Sequence, residues 1–190
     1  MLNNAHRIVS SDVEELILVD ENDNETGHLS KAECHNGDGV LHRAFSVFLF
    51  NDDGNMLLQQ RAGSKRLWPE YWSNSCCSHP RRGEDMQAAT ERRLRDELNA
   101  NAQLEYVYKF SYHARFDESG SENELCHVFV GKVLGDIKPN EHEIQRIRFV
   151  SSRELDAELD ERPEQFTPWF RMEWRTLCEQ HADLLSRYAM

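Results

Sequence analysis

Apolar residues in this chain fall into short runs closed by polar turn clusters, and helical spacing appears only later. Glu15 to Asp20, ELILVD, is such a run; it is closed by DENDNETG through Gly27, which predicts a strand followed by a turn. Ala44 to Phe50, AFSVFLF, and Met56 to Ala62 flank Asn-Asp-Asp-Gly54, turn chemistry that predicts a hairpin. An irregular, aromatic-rich stretch from Gly63 to Gly83 follows, and a loop of that length in a compact domain is usually functional. Asp85 opens a helical pattern in which Met86, Ala89, Leu94 and Leu98 lie toward one side and Arg92, Arg93, Asp96 and Glu97 supply charge. Strands are predicted over 105–116 and 124–133, around a turn at 117–121, and again over 146–150. Ser152 starts a helix with an acidic first turn, and Pro168 starts a terminal helix running to about residue 187. Strands and helices do not alternate strictly, so the predicted class is α+β (mixed α/β), a central mixed sheet flanked by helices.

The chain has 190 residues, 39% apolar and 29% charged, and neither a repeat nor a linker. These values predict one soluble domain over 1–190, its core about residues 16–170. No apolar run is long enough to span a membrane, and the N-terminus lacks a signal-peptide pattern, so a cytoplasmic protein is expected. The five cysteines then read as reduced thiols, and Cys76 and Cys77 are too close to bridge each other without strain.

The net charge of −12 argues against nucleic acid as a partner. Residues 61–95, however, hold eight Lys/Arg against four Asp/Glu, a local +4 that leaves −16 for the rest. Such a segment suits a small anion, although composition alone is equally compatible with ordinary surface arginines.

Candidate chemistry sharpens this picture. Ser78-x5-Glu84-x7-Arg92-Arg93-Leu94-Arg95-Asp96-Glu97 resembles the Nudix box, in which a loop-helix-loop brings carboxylates to a divalent metal that holds a diphosphate. The copy is degenerate: Ser78 replaces Gly, Arg93 replaces the first Glu of the cluster and Asp96 the second. His35 and His42 precede a strand, His79 lies in the long loop, and Glu122 and Glu124 share one strand face. Three imidazoles and two carboxylates make a six-coordinate divalent site with one open position, and mixed N/O ligation leaves Mn²⁺, Zn²⁺, Fe²⁺ and Mg²⁺ open. His6, His28, His113, His127, His142 and His181 read as ordinary surface or core histidines.

Leu41-His42-Arg-Ala-Phe-Ser46, Arg61-Ala-Gly-Ser-Lys65 with Trp68-Pro69, Trp72-Ser-Asn-Ser-Cys-Cys-Ser-His-Pro80 and Glu122-Asn-Glu124-Leu-Cys126 together resemble the type I isopentenyl-diphosphate isomerases. The resemblance runs from about Leu16 to Trp169, with its elements in the family's order and spacing. It implies a Nudix-like fold, the small substrate isopentenyl diphosphate, and conversion to dimethylallyl diphosphate in isoprenoid biosynthesis. It also implies His35, His42, His79, Glu122 and Glu124 as ligands of one Mn²⁺, Zn²⁺ or Mg²⁺, and Glu97 as ligand of a Mg²⁺ that travels with the diphosphate. Lys31, Arg61, Lys65 and Arg93 become phosphate contacts, and Trp169 of Thr167-Pro168-Trp169 faces a carbocation, with Trp72 available as a further wall. In the family pattern the catalytic cysteine is two before His79, so Cys77 is catalytic and Cys76 a bystander. The resemblance further implies that Glu124, expected to be hydrogen-bonded to Tyr112, delivers a proton and that Cys77 removes one. Cys77 is expected in an electropositive loop of the kind that activates thiols, and Ser78 costs stability if its position needs φ above zero. A monomer is expected.

Two other functions are weighed. A Nudix hydrolase of a nucleoside diphosphate derivative predicts an intact carboxylate cluster, which positions 93 and 96 lack. A non-catalytic metal-binding module leaves Cys77 and the phosphate-matching cations without a role.

Overall fold

Strand β3 (His42–Phe50) organises the molecule, because HRAFSVFLF is apolar on both faces and must be covered on both. Residues 7–189 are described in this computed structural model; His6 lies outside them. Around β3 the chain supplies β1 (Glu15–Val19), β2 (Glu25–Ser30), α1 (Lys31–Cys34), β4 (Met56–Arg61), β5 (Trp72–Ser73) and β6 (Cys76–Ser78). After these come α2 (Met86–Leu98), β7 (Asn101–Asp117), β8 (Gly120–Leu134), β9 (Ile144–Val150), α3 (Ser152–Glu161), α4 (Pro168–Gln180) and α5 (Ala182–Leu185). All nine strands join one mixed sheet, in which β3 runs parallel to β8 from His42↔Glu124 to Phe50↔Lys132 and antiparallel to β6.

The pleat sorts the core. Ala44, Phe48 and Phe50 face one side, against Trp169, Phe170, Trp174 and Leu177 of α4. Phe45, Val47 and Leu49 face the other, against Ala89, Leu94 and Leu98 of α2. Helix α2 is capped by Asp85, whose side chain accepts from Ala88 N, and ends at Asn99 in the left-handed region, φ 51°.

Four local expectations are corrected. The Asn51–Asn55 turn forms, with Gly54 N donating to Asn51 O at 3.1 Å, yet β3 and β4 pair only at Phe50↔Met56. They splay because each finds a longer partner, β3 in β8 and β4 in β9. Residues 25–30, half of them read as turn, form β2 against the edge of β1 despite their polarity. The irregular 63–83 segment contains β5 and β6. The terminal helix breaks at His181, whose φ of −129° and ψ of 28° are not helical, into α4 and α5.

Candidate active site

His35 follows α1 directly, and Ser30 and Glu33 close a capping box that fixes that helix's start. His42 opens β3, His79 follows β6, and Glu122 and Glu124 lie two apart on β8, so strand parity and the His42↔Glu124 register aim four of the five at one point. The fifth is held by a close approach. A Cβ on Gly120 would lie 2.0 Å from His35 O, and Ser121 N donates to the same oxygen at 3.1 Å. Gly120 has φ 142°, so only glycine fits there without strain.

The five ligand atoms lie within 4.8 Å of one another. His35 Nδ1 and His42 Nδ1 donate to the carbonyls of Lys31 and Val40 at 2.6 and 2.7 Å, which turns both Nε2 atoms inward as acceptors. There His35 Nε2 is 2.8 Å from Glu122 Oε2 and His79 Nε2 2.7 Å from Glu124 Oε1. Buried His42 Nε2 has no hydrogen-bond partner among the described residues, and Glu122 Oε2 faces the His35 nitrogen. Acceptors facing acceptors in a dry pocket need a cation between them, so the donor set fits a divalent metal. Burial opposes ionisation of Glu122 and Glu124, yet both carboxyls stay below their ordinary range, the second helped by the Tyr112 hydroxyl. Burial, reinforced by His42 and His35, drives His79 well below the usual imidazole value.

Next to this cluster lies a cavity of about 400 Å³ lined by Cys77, Tyr112, Glu124, Trp169, Lys31, Lys65 and Arg93 among others. Tyr112 donates to Glu124 Oε2 at 2.6 Å. Trp169 is buried at the start of α4, its Nε1 donating to Ser73 Oγ at 3.1 Å, with Trp68 packed edge-on against it at 5.2 Å. The Arg61 guanidinium sits 5.3 Å from the Trp169 ring centre and 3.8 Å from Cys77 Sγ. Adjacent residues of β6 point to opposite faces: Cys77 opens on the cavity, while Cys76 is buried in the α2 core. Cys77 lies in strand β6 and not in a loop, with the Arg61 guanidinium beside its thiol. Burial pushes its thiol up to about 12, against the pull of Arg61, so the resting form is the protonated thiol. Ser78 lies in β6 and is not among the residues with positive φ, so it carries no such cost.

At the other end of the cavity the cations are already paired. Arg93 Nε donates to Glu97 Oε1 at 2.8 Å, Arg93 Nη2 lies 3.3 Å from Glu143 Oε2, and Lys65 Nζ binds the same Glu143 oxygen. Lys31 keeps its ammonium in a buried setting, which with Lys65 and Arg93 nearby depresses it to about 8. Glu97, expected to meet a Mg²⁺ with the diphosphate, is 2% exposed and committed to Arg93. Trp72, read as a wall, instead stacks beneath Arg148 at 4.6 Å and does not line the cavity. Glu143 was missed. Its only sequence signal is an acidic residue before a strand, and its partners are distant in the chain.

A central mixed sheet clasped by helices, with a metal-ligand cluster next to a cationic cavity, defines a Nudix-type protein, and the NUDIX domain model matches residues 40–170. A solved structure of DR0079 from Deinococcus radiodurans shares this fold at a TM-score of 0.64 and 22% identity, over 78% of this chain and 90% of that one. More specific are two relatives. An isopentenyl-diphosphate Delta-isomerase 1 of Photorhabdus laumondii is 43% identical over 91% of this chain and 99% of its own. An isopentenyl-diphosphate Delta-isomerase of Serratia proteamaculans is 43% identical over 83% and 87%. The chain belongs to the isopentenyl-diphosphate Delta-isomerases of the NUDIX family.

Proposed function

We propose that this chain interconverts isopentenyl diphosphate and dimethylallyl diphosphate by adding a proton at one end of an allylic unit and removing one at the other. The observation that carries this reading is a single cavity with two proton stations, Cys77 and the Tyr112–Glu124 pair, between the Trp169 wall and the Lys31–Lys65 end. An unactivated alkene needs an acid within reach and a base across the substrate, and because the reaction is an interconversion each station is acid in one direction and base in the other. Delivery from Tyr112–Glu124 with removal by Cys77 requires the thiolate, which the substrate-free pocket disfavours. The resting protonation, a thiol at Cys77 and an ionised carboxylate at Glu124, suits the reverse order, in which Cys77 delivers the proton and the Tyr112–Glu124 pair removes one. Tertiary carbocation character at the reacting carbon would be quenched by water, so the enclosing wall and the π face of Trp169 exclude solvent and stabilise positive charge.

His35, His42, His79, Glu122 and Glu124 would hold Mn²⁺, Zn²⁺ or Mg²⁺. When bound, that cation would fix Glu124 in place and tune its acidity. Lys31, Arg61, Lys65 and Arg93 would take the diphosphate, Lys65 and Arg93 by exchange of their carboxylate partners. A Mg²⁺ arriving with it would reach Glu97 only by exchange of the Arg93 pairing. Five free cysteines, three of them buried, suit a monomer working in a reducing cytoplasm. A direct test is incubation of the metal-loaded protein with isopentenyl diphosphate. Dimethylallyl diphosphate without phosphate release supports the reading, whereas release of inorganic phosphate, or of a monophosphate from nucleoside diphosphates, supports hydrolysis instead.

A further inference from the structure

Beside Lys31, Lys65 and Arg93 runs a stretch of backbone that the proposed chemistry does not use. Lys31 N donates to Glu14 O at 2.8 Å and Ala32 N to Asp12 O at 3.1 Å, which ties residues 12–14 to the start of α1. Lys31 Nζ donates to Ser10 Oγ, Arg93 Nη1 donates to Val9 O at 3.0 Å, and Asn140 Nδ2 donates to Arg7 O at 2.7 Å. The segment is therefore strapped to α1, to α2 and to the loop before β9. Val9 is buried beneath it, whereas Ile8, 74% exposed, stands at the rim. Ile8, Ser10 and Asp12 form cavity wall next to Lys31, Arg93 and His142.

Two of the strap's contacts, Ser10 with Lys31 and Val9 with Arg93, are with cations that match the family's phosphate contacts, so the strap borders the Lys31–Arg93 part of the cavity. A diphosphate carrying one organic group ends there in a free terminal phosphate. A diphosphate substituted at both ends must continue outward past its second phosphate, through the space the strap occupies. We propose that residues 8–12 are a specificity determinant: a fixed strap that admits diphosphates with one organic substituent and excludes those substituted at both ends. This rests on reading the cavity as a diphosphate site. It also gives a physical reason why a Nudix fold with these cations would reject the nucleoside diphosphate derivatives of the hydrolase alternative, since exclusion by blocked space is a standard route to specificity.

The test compares three metal-loaded proteins: the full chain, the chain lacking residues 1–11, and the full-length double variant Val9→Gly, Ser10→Ala, which keeps the chain length if truncation impairs folding. Binding of inorganic pyrophosphate, dimethylallyl diphosphate and ADP-ribose is measured by calorimetry, independently of turnover. The full chain is expected to bind the first two and to bind ADP-ribose at least about 100-fold more weakly, with that gap narrowing about tenfold or more in the strap variants. An unchanged gap in variants that still bind pyrophosphate overturns the strap while leaving the diphosphate reading intact. The same holds if the full chain binds ADP-ribose as well as dimethylallyl diphosphate. Failure of the folded full chain to bind pyrophosphate or dimethylallyl diphosphate overturns the diphosphate reading, and the strap's role with it.

Discussion

The two ends of the cavity are built on opposite principles. At the metal end, acceptors converge: His42 Nε2 is buried without a hydrogen-bond partner among the described residues, His35 Nε2 faces Glu122 Oε2, and backbone carbonyls hold the imidazoles of His35 and His42 with Nε2 inward. At the anion end Lys65 and Arg93 are compensated in advance, sharing Glu143, with Arg93 also holding Glu97. The first arrangement fits a divalent cation, and binding of that cation would couple to its order. The second is complete without substrate, so an incoming diphosphate must compete with carboxylates for Lys65 and Arg93. Affinity there depends on Lys31 and on whichever donors remain free, which makes that end a discriminator more than a sink.

The largest expected effect separates the faces of β6. Cys77→Ala and Glu124→Gln should each lower kcat by roughly 10²- to 10⁴-fold, whereas Cys76→Ala, which alters only packing beneath α2, should leave kcat within a few-fold. Comparable losses for both cysteines would dissolve the division between faces. Removing an inward-facing acceptor by His42→Ala should weaken divalent metal binding by more than about 100-fold, since even outer partners of such ligands are worth 10- to 100-fold. Titration followed by metal analysis reads this directly, and retained metal would show that the convergent acceptors are not a metal site.

Acid sensitivity probes the compensated end. Lys65 and Arg93 outweigh burial and hold Glu143 down at about 2, against 4.5 unfolded. Its contribution is fully present above pH 4.5 and is lost as pH falls from there toward 2. Glu143→Gln should therefore cost on the order of 3 kcal/mol at neutral pH and flatten the stability profile across that window. Urea melts at several pH values would show it, and an unchanged slope would mean the ion pairs contribute nothing.

The smallest effect has the opposite sign. Glu173 of α4 is buried with Oε2 unpartnered, and burial raises its carboxyl to about 8. The folded protein binds that proton more tightly than the unfolded chain, so stability declines as pH rises from 4.5 to about 8. Glu173→Gln should raise stability at neutral pH by roughly 1–3 kcal/mol and remove that decline. A destabilised variant would indicate that the carboxyl is held by partners worth more than its burial costs.

At the metal end, spacing alone showed that Glu122 and Glu124 share a face, and the family resemblance supplied the three histidines. Two carboxylates two residues apart on a strand must share a face, and a histidine at the first position of β3 is brought to Glu124 by register. The split between Cys76 and Cys77 follows from the same alternation. The anion end was only half legible: Arg93 and Glu97, one turn apart on α2, were bound to share a face, but the spacing did not say that they pair with each other. Glu143 and the strap were invisible because they reach Lys65, Lys31 and Arg93 through long-range packing that no local spacing encodes. The splayed β3–β4 pair misled for the same reason: turn chemistry specifies the bend, and the partners of the flanking strands are decided elsewhere in the sheet.

The central claim, that Cys77 and Tyr112–Glu124 exchange protons with an allylic diphosphate, is tested most directly by NMR of isopentenyl diphosphate incubated with the metal-loaded protein in D₂O. The account predicts dimethylallyl diphosphate with deuterium in a methyl group, and residual isopentenyl diphosphate that gains deuterium as the reaction reverses. It predicts no solvent incorporation with Cys77→Ala or Glu124→Gln. Dimethylallyl diphosphate formed without deuterium, or undiminished incorporation by either variant, would contradict it.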